Sequence, residues 1–245
     1  MRFAELSDPG RKREVNEDCA FVDPENGLLV LADGMGGHMA GEIASALAVK
    51  AIVAHITRDL TVSSGIATSG FLAGILTDAI SEANKLINER AAEDANLKGM
   101  GTTVVVALCR RHTAYLAHVG DSRAYLLRGD ILRQMTHDHS LVAEMVAAGE
   151  ISEKEARSHR LRSVLTRSLG NQSVVYAEVQ EFSWDSGDCL LLCSDGLTNM
   201  IDDVKIEKTL DLHRKDLQRG CEALVKAANS NGGIDNITVI LACPE

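Results

Sequence analysis

The sequence predicts an α+β fold in which antiparallel sheets are layered against helices that are grouped separately along the chain. Three observations predict it. Short runs rich in Val, Leu and Ile recur, most of them joined by turn residues. Two longer stretches between residues 42 and 87 carry apolar residues at helical spacing instead. The 245 residues are 45% hydrophobic and 24% charged, with three prolines and no low-complexity linker, so one compact domain over 1–245 is the economical organisation.

The elements follow in order. Cys19–Asp23 and Leu28–Ala32 flank the turn signal Pro24-Glu25-Asn26-Gly27 and predict a hairpin. Residues 42–57 place Ile43, Leu47, Ile52 and Ile56 on one helical stripe; Leu72, Ile75, Leu76, Ala79, Ile80, Ala83 and Ile87 form a cleaner one. Strands are predicted at Thr102–Cys109 and Ala114–Val119. A further pair, Ala124–Leu127 and Ile131–Met135, is joined by Arg128-Gly129-Asp130. Residues 137–170 change to short polar helical patterns and read as a flap outside the core. Strands resume at Val174–Phe182 and Cys189–Cys193, followed by a helix over Leu217–Ala228 and a last strand, Ile237–Ala242.

Charge and composition exclude several classes. Lys and Arg number 25 against 35 Asp and Glu, a net charge of −10, which argues against nucleic acid and anionic membrane surfaces as partners. Aromatics at 3% are too few for single-strand stacking platforms. The six cysteines, at 19, 109, 189, 193, 221 and 243, show no metal-ligand spacing and read as free thiols of a reducing, cytoplasmic compartment. The first residues form no signal core, and no stretch reaches the roughly 20 apolar residues a membrane span needs. The acidic excess is either a solubility feature or a sign that some acids gather around cations.

The chemistry-bearing pattern is an aspartate at the end of an apolar strand. Asp33-Gly34, Asp121 and Asp195-Gly196 each follow such a run, and Asp235-Asn236 precedes one. Any one of these is an ordinary turn. Four of them at strand ends can converge, and carboxylates that close repel one another unless divalent cations sit among them. All-oxygen ligands favour Mg²⁺, Mn²⁺ or Ca²⁺. Such a cluster beside a cationic side chain is equipment for phosphoryl hydrolysis. Arg13, shortly before Glu17 and Asp18, is either that bidentate phosphate clamp or part of a solvated basic triplet. Neither a P-loop nor a G-x-G-x-x-G follows a strand, which removes ATPase and dinucleotide chemistry. Cys193 has Asn199, not Arg, at its sixth following position, which removes a thiol phosphatase.

Six segments stand in one order over nearly the whole chain: Arg13 with Asn16-Glu17-Asp18, Ala32-Asp33-Gly34-Met35-Gly36-Gly37-His38, Gly101-Thr102-Thr103, His118-Val119-Gly120-Asp121-Ser122-Arg123, Cys193-Ser194-Asp195-Gly196-Leu197 and Asp235-Asn236-Ile237-Thr238-Val239. Together they resemble the protein phosphatase 2C family of metal-dependent serine/threonine phosphatases, in its compact bacterial form. The resemblance implies a four-layer α-β-β-α sandwich of two antiparallel sheets with helices outside and a flap at about 137–170. It implies two core Mn²⁺ or Mg²⁺ ions, with a third beside them, and hydrolysis of phosphoserine and phosphothreonine in proteins by a metal-activated bridging water.

By residue, the resemblance makes Asp33 the carboxylate bridging the core ions and gives Gly34 a backbone-carbonyl contact. Asp195 and Asp235 complete the first ion's shell, and Asp18 holds metal-bound water. Asp121, with Asp195, forms the third site, which Ser163 in the flap approaches. Arg13 binds phosphate. Glu17 and Asn236 support from behind the ligands. His38 either protonates the leaving oxygen or donates to a loop carbonyl. Phosphorylated proteins are the implied substrates and a cognate serine/threonine kinase the implied partner, for a monomer.

The chain departs from many bacterial members at His159-Arg160, where they carry His-Pro. Arginines there either engage acidic or phosphorylated segments or are simply solvated. Two other classes remain to be weighed. A catalytically dead binding module would be expected to lack one or more of Asp33, Asp121, Asp195 and Asp235, and all four are present. A Ca²⁺-binding structural domain would gather its ligands in one loop, and none is found.

Overall fold

The computed structural model describes residues 1–36, 40–63 and 68–244. Its strands form two antiparallel sheets. In one the order is β1 (Arg2–Asp8), β11 (Ile237–Cys243), β10 (Cys189–Cys193), β7 (Arg123–Arg128) and β8 (Ile131–Gln134). In the other it is β2 (Asp18–Asp23), β3 (Leu28–Met35), β5 (Val104–Arg110), β6 (Thr113–Val119) and β9 (Glu178–Ser183), with the short β4 (Gly101–Thr102) also on β3.

The apolar runs are uninterrupted because both faces of each sheet are covered. On β3 successive side chains alternate. Leu28, Val30 and Ala32 join one buried cluster with α1 (Ala40–Val62) and α2 (Ser69–Glu93). Leu29 and Leu31 join another with Ala124, Leu126, Leu190, Leu192 and Ile240 of the opposite sheet. A third cluster packs Leu127, Leu191, Val239 and Leu241 under α6 (Asp203–Leu212) and α7 (Leu217–Ser230). Three cores between four layers give helix, sheet, sheet, helix, the architecture implied by the sequence.

The helices bury what their spacing allows. The buried stripe of α1 is built largely of small residues: Ala40, Gly41, Ala44, Ser45 and Ala48, then Val49, Ile52 and Ile56. Ile43 and Leu47 are only partly buried. Against the expectation that no stretch would suffice, α1 is long and apolar enough, by length and composition, to cross a membrane, with a mean hydropathy of 1.3 over its most apolar window. Half of that window is buried inside the protein. In α7, Leu217, Cys221, Leu224, Val225 and Ala228 form a narrow apolar stripe on the β1–β11–β10 sheet. All six cysteines are free thiols, and Cys189 and Cys193 both face the α6–α7 layer.

Some elements had no clear sequence signal. Strand β1 pairs with β11 over its whole length, from Arg2 opposite Cys243 to Asp8 opposite Ile237. It is an edge strand with only Ala4 buried, so its apolar pattern is faint. Helix α6 buries only Ile206, Thr209 and Leu210, and its clearest signal is Asp202, whose side chain accepts from the Lys205 N–H at 2.8 Å. The strand expected from Val174 begins only at Glu178. Residues before it pack beside α2 instead, where the Asn84 amide donates to the Gln172 carbonyl at 3.0 Å. The flap contains α3 (Leu141–Ala147) and α4 (Glu153–Ser158), the latter opened by a capping box between Ser152 and Glu155.

Leu31 lies wholly buried between the sheets. Leu31→Ala is expected to destabilise the protein by about 2.5–5 kcal/mol in urea unfolding. Ile131→Ala, at a position 72% exposed, should shift stability by less than about 0.5 kcal/mol.

Candidate active site

The sheets converge at one end, and the predicted aspartates sit there. Antiparallel register sets Asp18 of β2 directly opposite Asp33 of β3. Asp195 opens the short helix α5 (Asp195–Thr198) immediately after β10, and Asp235 precedes β11, the neighbour of β10. Asp121 follows β6. A cleft of about 260 Å³ is lined by Arg13, Glu17, Asp33, Gly34, Thr103, Asp121, Ser163, Asp195 and Asp235 among others. Most residues singled out in the sequence therefore face one space; Asp18 and Asn236 are not part of its lining. His38 lies outside the described residues.

Neighbouring side chains hold the carboxylates of Asp18, Asp195 and Asp235 and the backbone of Asp33. The Asp33 backbone is fixed on both sides: its N–H donates to Thr103 Oγ1 at 3.1 Å, and its carbonyl accepts from the Thr103 N–H at 2.9 Å. The Ser194 hydroxyl donates to Asp18 Oδ2 at 2.8 Å, and the Asn199 amide donates to Asp195 Oδ2 at 2.9 Å. Arg13 Nη2 donates to Asp235 Oδ2 at 2.9 Å. Gly34 allows a close crossing, since a Cβ there would overlap the carbonyl oxygens of Gly41 and Glu17.

Asn236 touches no cleft space but controls it. Its Oδ1 accepts from the Glu17 N–H at 2.8 Å, while its amide donates to the Pro9 and Val15 carbonyls at 3.1 and 2.9 Å. It thereby pins the loop carrying Arg13 and Glu17 to the start of β11. Its backbone N–H also donates to Asp235 Oδ1 at 2.9 Å. The sequence pointed to Asn236 as a support for Asp235; the loop it staples is the larger part of what it holds. Ser194 and Asn199 were not singled out, although both lie within four residues of Asp195 and carry the short polar donors a buried carboxylate needs.

The electrostatics are unfavourable for bare carboxylates. Burial, and then repulsion from Asp18, Asp195, Asp121 and Asp235, holds the Asp33 carboxyl well above the usual carboxylate range. Burial and Asp195 raise Asp121 in the same way. Asp18 is pushed up to about 7, chiefly by burial and then by Asp195 and Asp235, against the Ser194 hydrogen bond that lowers it. Asp195 is pushed up to about 6 by burial and by Asp235. Asp18 Oδ1 and Glu17 Oε1 are buried with no hydrogen-bond partner. Orphaned acid oxygens, in a site whose side-chain acceptors are carboxylates, fit hard divalent cations.

A second cluster lies behind this one. Ligand-type atoms of His118, His139 and Glu178 lie within 4.8 Å of one another. The imidazoles are stacked at 4.7 Å with planes 11° apart, and an ion cannot lie in both ring planes at once. The groups are satisfied without one. His139 Nδ1 accepts from the Gly120 N–H at 3.1 Å, which puts the proton on Nε2, 3.0 Å from Glu178 Oε1. The His139 N–H also donates to the Gly120 carbonyl at 3.0 Å, so both polar groups of the residue before Asp121 are held by one histidine.

Fold and site thus define a hydrolase of phosphate esters that works through cations held by carboxylates. A sequence profile described as Protein phosphatase 2C matches residues 11–231. The chain is 40% identical to the serine/threonine phosphatase stp of Listeria innocua over 238 residues, covering 96% of this chain and 92% of that protein. It superposes on the serine/threonine phosphatase of S. agalactiae with a TM-score of 0.91 at 35% identity, covering 100% and 99% of the two chains. It also superposes on the catalytic domain of PstP in complex with two manganese ions, with a TM-score of 0.85 at 35% identity, covering 98% and 96%. The chain belongs to the protein phosphatase 2C family and is a metal-dependent serine/threonine protein phosphatase.

Two outcomes follow from the site. Asn236→Ala strands the Glu17 N–H and two carbonyls at a position 5% exposed. It should cost about 1–3 kcal/mol in denaturant unfolding and raise KM for a phosphopeptide. Asp18 and Asp195 are both raised above their ordinary value of 3.8. For a raised acid, stability is fully present below the unfolded value and is lost as pH rises through the folded one. In EDTA the melting temperature should therefore fall between about pH 4 and 8, and Mn²⁺ should raise it more at pH 8 than at pH 5. An Mn²⁺ effect independent of pH would contradict the raised carboxyls.

Proposed function

We propose that residues 1–245 act as one catalytic domain that removes phosphate from serine and threonine residues of proteins, with Asp33, Asp195, Asp235, Asp18 and Asp121 as the side chains that would hold Mn²⁺ or Mg²⁺. The observation that carries this is the gathering of Asp33, Asp121 and Asp195, all with raised proton affinity, on one cleft that Asp235 also lines, with orphaned oxygens on Glu17 and on Asp18 opposite Asp33. The complex of PstP with two manganese ions supports the choice of cation. Asp33 and the Gly34 carbonyl would hold the core ions together with Asp195 and Asp235, and Asp18 would hold metal-bound water. Asp121 and Asp195, with Ser163 nearby, would hold a third ion. When bound, the ions supply Lewis acidity and a nucleophilic water at neutral pH.

The protein's own groups do the rest. Arg13 is half exposed and spends one nitrogen on Asp235. Its other donors are free to grip phosphate oxygens in the planar, forked manner of a guanidinium. Neutralising Asp235 would release the remaining nitrogen to the same task. Asn236 keeps Arg13 in register with Asp235 through the loop it staples. Thr103 keeps Asp33 aimed at the cleft. No side chain needs to become phosphorylated. Protonation of the departing serine or threonine oxygen is assigned to His38 on the sequence alone.

The net charge of −10 supports a protein, not a nucleic acid or an anionic membrane, as what the cleft receives. A serine/threonine kinase that creates these phosphoresidues is the expected counterpart, in the cytoplasm, for a monomeric enzyme with free cysteines. Asp33→Asn and Asp195→Asn should each lower Mn²⁺-dependent kcat on a phosphothreonine peptide by more than about a thousandfold while the protein stays folded by circular dichroism. Full activity in either variant would remove these residues from the mechanism.

A further inference from the structure

Acids and bases balance over the flap as a whole, but its basic residues gather towards its C-terminal end. Residues 156–177 contain Arg157, Arg160, Arg162 and Arg167 and no aspartate or glutamate, in a chain where one residue in seven is acidic. The segment carries +4 within a net −10, so the remainder carries −14.

Its two ends are pinned and its tip is not. Thr166 N–H donates to the His139 carbonyl at 2.9 Å, and Leu141 N–H to the Val164 carbonyl at 2.8 Å. Leu169 pairs with Thr102 beside the cleft floor. Between these anchors the backbone is ordered by its own turns, with the Arg162 N–H on the His159 carbonyl and the Val164 N–H on the Leu161 carbonyl. Arg157, Arg160 and Arg162 are exposed. Several other guanidiniums are engaged: Arg123 on Asp138, Arg128 on Asp188 and, within the flap, Arg167 on Glu178. Among the described residues Arg157, Arg160 and Arg162 have no such partner. Ser163 and Leu165, which follow at once, line the catalytic cleft.

Two unpaired guanidiniums on the loop that leads into a phosphate-hydrolysing cleft, with a third at the end of α4 just before them, have one chemical complement. We infer that Arg160 and Arg162, helped by Arg157, form a specificity surface that selects phosphoprotein segments carrying further negative charge beside the target residue. That charge is either a carboxylate or a second phosphate. The inference rests on the cleft being the catalytic centre. The same cleft is itself acidic, so an anionic segment gains from a cationic rim that meets it before the phosphate reaches Arg13.

The test uses four phosphothreonine peptides of equal length, flanked by glutamates, by a second phosphoserine, by alanines or by lysines. With the Mn²⁺-loaded protein at low salt, kcat/KM should rank both acidic peptides above the alanine peptide by on the order of fivefold and the lysine peptide below it. The preference should collapse in 1 M salt, where screening acts within about 3 Å. In Arg160→Ala/Arg162→Ala the ratio of acidic to alanine peptide should fall towards one. In Arg160→Glu/Arg162→Glu it should invert in favour of lysine. Preference for the phosphoserine arm alone would assign the surface to a second phosphate; equal preference for both acidic arms would assign it to charge. Turnover of all four peptides within twofold of one another, or a ratio unchanged in both double variants, overturns the inference and leaves the catalytic centre standing. No turnover of any peptide removes the centre and this inference together.

Discussion

Mutual repulsion among carboxylates at the ends of neighbouring strands is the constraint around which the molecule is arranged. Asp18, Asp33, Asp121 and Asp195 are each driven towards the protonated form by burial and by one another. Stability selected alone would not assemble such a set, since each bare charge opposes folding. The rest of the protein supplies the rigidity that keeps the acids together, and cations supply the charge that makes the arrangement favourable. The formal charge of −10 is therefore in part a property of the site.

The sandwich provides that rigidity economically. The two sheets share one buried layer, with Leu29, Leu31, Leu190, Leu192 and Ile240 locking them face to face. Register then does the aiming: the pairing of Asp18 with Asp33 is fixed by the same ladder that pairs Ala20 with Leu31. A slip of one residue would turn Asp33 into the helix-facing core. Around the carboxyls, short polar side chains complete the frame: Ser194 and Asn199 donate to the Asp18 and Asp195 carboxylates, and Thr103 and Asn236 accept from the Asp33 and Glu17 backbone N–H groups. His139 does the same for the turn before Asp121.

Much of this was legible in the sequence because apolar runs ending in Asp-Gly or Asp-Asn carry both the strand and its chemistry. The hairpin of β2 and β3, strands β5, β6, β7 and β10, and the helices α1, α2 and α7 announce themselves by period and length. What stayed hidden has a common cause. Strand β1 and helix α6 bury few side chains, so their patterns are weak, and their positions are set by partners distant in sequence. The same holds at the site. Asp33, Asp195 and Asp235 could be found locally, whereas the three-way staple by Asn236 joins residues more than 200 positions apart and depends on the closed sandwich. The double hold of His139 on Gly120 likewise needs the flap segment folded back on β6.

The central claim is that the carboxyls form a single cation-binding unit which holds protons when no cation is present. Calorimetric titration of the EDTA-treated protein with Mn²⁺ at pH 6.5, repeated in buffers of different ionisation enthalpy, counts ions and displaced protons together. The account predicts at least two Mn²⁺ ions per chain and net proton release, both reduced in Asp33→Asn. Binding of fewer than one ion per chain, or binding without proton release, would contradict it.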